Sequence, residues 1–106
     1  MCRIFETEQF IDWFVSLKDP TIRARLQLRL RKASIGNLGN RKSVGDDVWE
    51  MREVFGPGWR MYYILRESTV IMMLGGDNKS SQKKDIELAK ALAQELRNEQ
   101  NQNPSV

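Results

Sequence analysis

Histidine is absent from this 106-residue chain, and cysteine occurs once, at Cys2. The first absence removes Ser-His-Asp and Cys-His nucleophilic triads and the usual zinc sites. The second rules out an internal disulfide and a thiolate cluster, and it suits a reducing compartment. Long apolar runs are also missing. The longest, Val70–Leu74, is far too short to cross a bilayer, and Met1–Phe10 lacks the apolar region of about 7–15 residues that marks a secretory signal. No glycine cluster continues into GK[ST], so a P-loop is excluded. Acidic residues are scattered, with no pair spaced as a metal or glycosidase site. The expectation is a cytoplasmic protein without membrane contact, metal or cofactor.

What is present fits one small domain. Hydrophobic residues make up 41% of the chain, enough for a single core at this length. Lys and Arg number 17 against 14 Asp and Glu, a net charge of +3. That excess permits a polyanionic partner without demanding one, so the placement of the cations matters more than their sum.

The chain is organised around 48–81. Trp49 and Met51 alternate with Glu50 and Arg52, the period of a strand with two unlike faces. Gly56-Pro57-Gly58 marks a turn, since proline presets φ and glycine supplies the left-handed position. The next strand puts Trp59, Met61, Tyr63 and Leu65 on one side and Arg60, Tyr62, Ile64 and Arg66 on the other. After Glu67-Ser68, the apolar run 69–74 reads as an interior strand covered on both faces.

Upstream, 2–6 predicts a short strand. Thr7 then caps a helix whose Phe10, Trp13, Phe14 and Leu17 recur at i, i+3, i+4 and i+7. Asp19-Pro20 opens a second helix, with Ile22, Leu26, Leu30 and Ala33 as its stripe and arginines over most of the remainder. The arginines read as a solvated face. Residues 34–47 carry three glycines and no apolar period, and read as a long loop holding Arg41 and Lys42. Downstream, Ser80 or Ser81 caps a helix striped by Ile86, Ala89, Leu92, Ala93 and Leu96.

These elements give an α+β fold in the order β-α-α-β-β-β-α, with a helical hairpin packed on an antiparallel sheet. Residues 1–97 form the domain, and 98–106 form a polar tail expected to be disordered. The sheet face away from the hairpin is expected to stay uncovered and to expose Arg52, Arg60, Tyr62 and Arg66. Such a face permits metal-free cleavage of a phosphodiester by its neighbouring 2′-hydroxyl. Arginine forks neutralise the phosphorane, and a lysine crowded by other cations has its pKa lowered far enough to act as a base.

Three pieces together carry a resemblance: Glu50-Met51-Arg52, Phe55-Gly56-Pro57-Gly58-Trp59-Arg60, and Gly75-Gly76-Asp77-Asn78-Lys79-Ser80-Ser81. From about Glu6 to Leu96 the chain resembles the phage-type addiction module killer protein branch of the RelE/ParE toxin superfamily. The resemblance implies the RelE-like fold and a toxin of a type II toxin–antitoxin pair. It further implies ribosome-dependent cleavage of mRNA to a 2′,3′-cyclic phosphate, and a helix-turn-helix antitoxin as partner.

Carried onto this chain, Arg60 matches the arginine of the family's G-[YW]-R strand, associated with phosphate stabilisation. Arg52 matches the arginine of the preceding strand, and Lys79 a basic residue after the last strand. These are the catalytic candidates. Where the family can carry a catalytic tyrosine, this chain has Lys83-Lys84-Asp85-Ile86. Proton transfer therefore falls to Lys42, Lys79 or Lys83, with Tyr62 as an outside candidate. Arg41, Lys42, Tyr62, Arg66, Lys83 and Lys84 are the expected RNA-binding set. Two alternatives stand beside the nuclease: a ParE-like toxin that inhibits DNA gyrase without catalysis, and an inactive toxin-derived binding module.

Overall fold

A computed structural model describes residues 2–78 and 82–102. The order is β1 (Arg3–Glu6), α1 (Glu8–Ser16), α2 (Pro20–Ser34), β2 (Arg41–Gly45), β3 (Val48–Glu53), β4 (Trp59–Arg66), β5 (Val70–Asn78) and α3 (Gln82–Gln102). The strands form one sheet in the order β1-β5-β4-β3-β2. Neighbours from β2 to β5 run antiparallel, while β1 lies parallel to β5, so the sheet is mixed. The α+β class and the helical hairpin over the sheet are as expected, but the expected antiparallel sheet is corrected to a mixed one, because β1 enters beside β5 in the same direction.

Local chemistry starts the two hairpin helices. Thr7 Oγ1 accepts the Phe10 amide at 3.2 Å and donates to the Met73 carbonyl at 2.7 Å, which ties the head of α1 to β5. Asp19 accepts the Thr21 amide at 2.9 Å, and Pro20 fills the first turn of α2. Phe10, Leu26, Leu30 and Ala33 then bury against Met51, Trp59, Met61, Tyr63, Ile71 and Met73. Each large side chain there contributes roughly 1.5–3 kcal/mol. Trp13 presses on Gly76 so closely that a Cβ there would overlap its ring.

Other expectations are corrected too. The segment 34–47 is not all loop: Arg41–Gly45 pairs with β3 through a tight reversal at Asp46 and Asp47, whose φ values are 56° and 61°. As an edge strand exposed almost throughout, β2 needs no apolar alternation and shows none. The second sheet face is not open either. α3 lies across it, burying Ala89 and Ala93 against Val48, Tyr62, Ile64, Met72 and Leu74. The apolar run of β5 required that cover. Arg29 is buried rather than solvated, and it donates to the Asn40 carbonyl at 2.7 Å.

α3 extends to Gln102, so 98–102 continue the helix rather than fray. The rest of the expected tail, 103–106, and the expected caps Ser80 and Ser81 lie outside the described residues. Among the described residues no helix is long and apolar enough to cross a membrane.

Candidate functional site

Charged residues gather on the α3 side of the sheet, near the turn between β3 and β4. Strand register places them. Lys42, Glu50 and Tyr62 form one cross-strand row, and Arg52, Arg60 and Asp77 form the next. Asp77 joins this row because β5 has a bulge. Tyr62 pairs with Gly75 but Tyr63 pairs with Met73, leaving Leu74 as the extra residue. With strict alternation Asp77 would share the face of Ile71 and Met73, under the hairpin. The bulge turns it over, opposite Arg60.

The resulting network is mostly buried. Arg60 Nε donates to Asp77 Oδ1 at 2.9 Å, and its Nη2 donates to the Asn78 carbonyl at 3.0 Å. Tyr62 donates its hydroxyl to Asp77 Oδ2 at 2.7 Å. Burial works against the Arg60 charge, but the hydrogen bond and charge of Asp77 outweigh it and keep the guanidinium protonated. Burial pushes the Tyr62 hydroxyl well above its usual value, and the bond to Asp77 adds to this. Burial also raises Asp77, against the pull of its Tyr62 and Arg60 hydrogen bonds. Glu50 is 2% exposed, and its Oε1 lies 3.6 Å from Arg52 Nε.

Arg52 and Arg60 meet at a surface cleft of about 270 Å³, walled by Glu53, Val54, the Gly56-Pro57-Gly58 turn and Trp59. The turn beside it has its own anchor, for the Arg25 guanidinium stacks on Phe55 at 4.3 Å. Two guanidiniums on one small cleft are suited to a single tetrahedral anion.

The other site expectations divide. Arg60 is buried rather than solvent-facing, its side chain 9% exposed, because Asp77 compensates its charge. Tyr62 is fully buried with its hydroxyl engaged, so it is neither an RNA-facing ring nor a proton donor to a ligand. Arg66 stands six residues beyond Arg60, about 20 Å along the strand, where it donates to the Leu96 carbonyl. Arg41 is exposed but lies on Trp49, its guanidinium 4.7 Å from the ring. Lys42, Lys83 and Lys84 are exposed, the first beside the cleft rows and the others at the start of α3. Lys79 lies outside the described residues. Sequence reasoning misses Asp77 entirely; its faint signal is Gly75-Gly76, since paired glycines within a strand mark a bulge.

No family model matches the chain. An uncharacterised protein of Haemophilus influenzae is 38% identical over 94 residues, covering 89% of this chain and 95% of that protein. The chain belongs to the family of that protein. Among solved structures, a double arginine-to-alanine mutant of Escherichia coli RelE toxin in the free state aligns with a TM-score of 0.67 at 15% identity, over 85% of this chain and 96% of RelE. Isolated E. coli RelE aligns at 0.64 and 15% identity, over 87% and 99%. A chain of the E. coli RelBE toxin–antitoxin complex aligns at 0.62 and 14% identity, over 76% and 99%. The fold is that of RelE. In this RelE-like frame the arginine cleft is formed by the turn between β3 and β4, with α3 closing the sheet behind it.

Proposed function

We propose that this chain is the toxin of a type II toxin–antitoxin pair and an endoribonuclease that cleaves mRNA on the ribosome without a metal ion. The observation that carries the reading is the direct pairing of Arg52 with Arg60 at one cleft. The RelE-like fold and the three sequence motifs support it. In the proposed reaction a ribose 2′-oxygen attacks the adjacent phosphorus, and the 5′-oxygen of the next nucleotide leaves. A cyclic phosphate remains. Arg52 and the outward edge of Arg60 face the non-bridging oxygens, whose charge grows in the transition state. Arg60 arrives already oriented, because Asp77 and the Asn78 carbonyl hold its other donors. The two proton transfers fall to Lys42, Lys79 or Lys83. The proposed partner is a helix-turn-helix antitoxin that covers the cleft or α3.

Mapping mRNA 5′ ends after brief induction tests this directly. New ends within translated regions are expected, and Arg52→Ala should abolish them. Intact transcripts during growth arrest would overturn the reading.

One observation favours a second reading. Arg60 sits in an internal ion pair with little exposure, as a purely structural arginine would. A toxin that acts by binding, such as a gyrase inhibitor, needs nothing more from it. That reading predicts DNA damage with mRNA intact.

A further inference from the structure

Each arginine of the cleft has a buried carboxylate near its Nε, but the two are held differently. Arg60 is hydrogen-bonded to Asp77 at 2.9 Å, while Arg52 makes a looser ion pair with Glu50 at 3.6 Å. Glu50 is 2% exposed, and its Oε2 has no hydrogen-bond partner among the described residues. Its cross-strand neighbour Tyr62 gives its hydroxyl to Asp77 and so does not serve it. A carboxylate withdrawn from water with one oxygen unsatisfied is costly wherever it stands. For a residue that only fills space between strands, an apolar side chain would do better. Glu50 lies one row behind Arg52 and diagonal to Arg60, where its negative charge also acts on Arg60.

We propose that Glu50 is a positioning residue whose ion pair with Arg52 Nε orients Arg52, so that its Nη donors and Arg60 Nη1 converge on one phosphate. Arg52 needs such a partner. Its side chain is 46% exposed, and a free arginine gives up much rotamer freedom when it closes on an anion. Holding Nε from behind spends that freedom before the ligand arrives and leaves the paired Nη donors facing outward. Glu50 touches no substrate in this scheme and acts only through Arg52. The inference takes its natural ligand, an RNA phosphodiester, from the nuclease reading, but the grip itself does not depend on cleavage.

The test follows the arginine Nε–Hε resonances of the full-length protein while inorganic phosphate is titrated in. In the unaltered chain the Hε signals of Arg52 and Arg60 should both respond with a shared, saturable midpoint. In Glu50→Gln the Arg52 signal should move to its solvent-exposed position, the Arg60 signal should stay, and the midpoint should rise about tenfold. Glu50→Asp keeps the charge and should recover part of the affinity; it also serves as the variant if Glu50→Gln does not fold. An unmoved Arg52 signal, an unchanged midpoint, or no saturable response in the unaltered chain would each overturn the inference. mRNA cleavage is scored separately. Intact transcripts with the phosphate grip present would remove the nuclease reading and leave Glu50 in its role.

Discussion

On the hairpin face of the sheet, Met51, Met61 and Tyr63 meet Phe10, Leu26 and Leu30, and the contacts are a matter of shape. On the α3 face the same strands bury Glu50, Arg60, Tyr62 and Asp77 beside Val48, Ile64 and Leu74. The apolar face is stabilised side chain by side chain, and each loss there is local. The charged face is conditional. Arg60 is tolerable in the interior only because Asp77 is there, and Asp77 only because Arg60 and Tyr62 supply its hydrogen bonds. An apolar packing of the same volume is commonly as stable, so stability alone does not account for such a cluster.

The largest expected effect breaks the conditional face. Asp77→Ala strands a buried guanidinium and the Tyr62 hydroxyl, and should cost about 3–5 kcal/mol, read as a drop in the urea midpoint. Asp77→Asn keeps an acceptor for Tyr62 and should cost less. If Asp77→Ala costs no more than an ordinary surface change, the two faces do not differ in kind.

Next comes the hairpin face. Gly76→Ala drives a Cβ into the Trp13 ring and should cost about 1–3 kcal/mol by overpacking. Because the fault is one of volume, Trp13→Leu in the same chain should relieve part of it, and the two changes should not add. Simple addition would mean that Gly76 is required for some reason other than space.

These faces are not equally legible in the sequence. The α1 stripe, the Asp19-Pro20 helix start, the Gly56-Pro57-Gly58 turn and the alternation of β4 all register as local periodicity or turn chemistry, and they define the hairpin face. The charged face does not register that way. Alternation puts Arg60 and Tyr62 on the correct side, but it reads a cation as solvent-facing and cannot see that α3, far downstream, returns to cover that side. A single bulge moves Asp77 from one face to the other, and no period survives an inserted residue. β2 is hidden because an edge strand that buries almost nothing has no pattern to display.

A smaller effect separates the faces by pH. Burial, reinforced by the bond to Asp77, lifts the Tyr62 hydroxyl above the ordinary tyrosine value. The folded chain therefore keeps a proton that the unfolded chain releases above pH ~10. The stabilisation is full below that pH and is drawn down progressively from there up to the raised folded-state value, with a slope of at most about 1.4 kcal/mol per unit. Denaturant midpoints compared between the unaltered chain and Tyr62→Phe isolate this contribution from other groups. The two curves should converge as pH climbs past ~10, and parallel curves would show that Tyr62 ionises freely in the folded state.

The smallest effect belongs to an exposed cation that lies outside both faces. Lys84 sits in the first turn of α3, where the helix dipole disfavours a positive charge and favours an anion. Its replacement by Ala should leave stability within about 0.5 kcal/mol, or raise it slightly. What it should change is attraction to RNA. Removing one cation that neutralises a phosphate lowers the slope of log K against log salt by roughly 0.7 for a single strand. Lys84→Ala should therefore bind a single-stranded RNA with a slope shallower by that amount, whatever the RNA sequence. An unchanged slope would mean that the polyanion does not reach the start of α3, and would confine its path to the side of the cleft formed by β3, β4 and their turn.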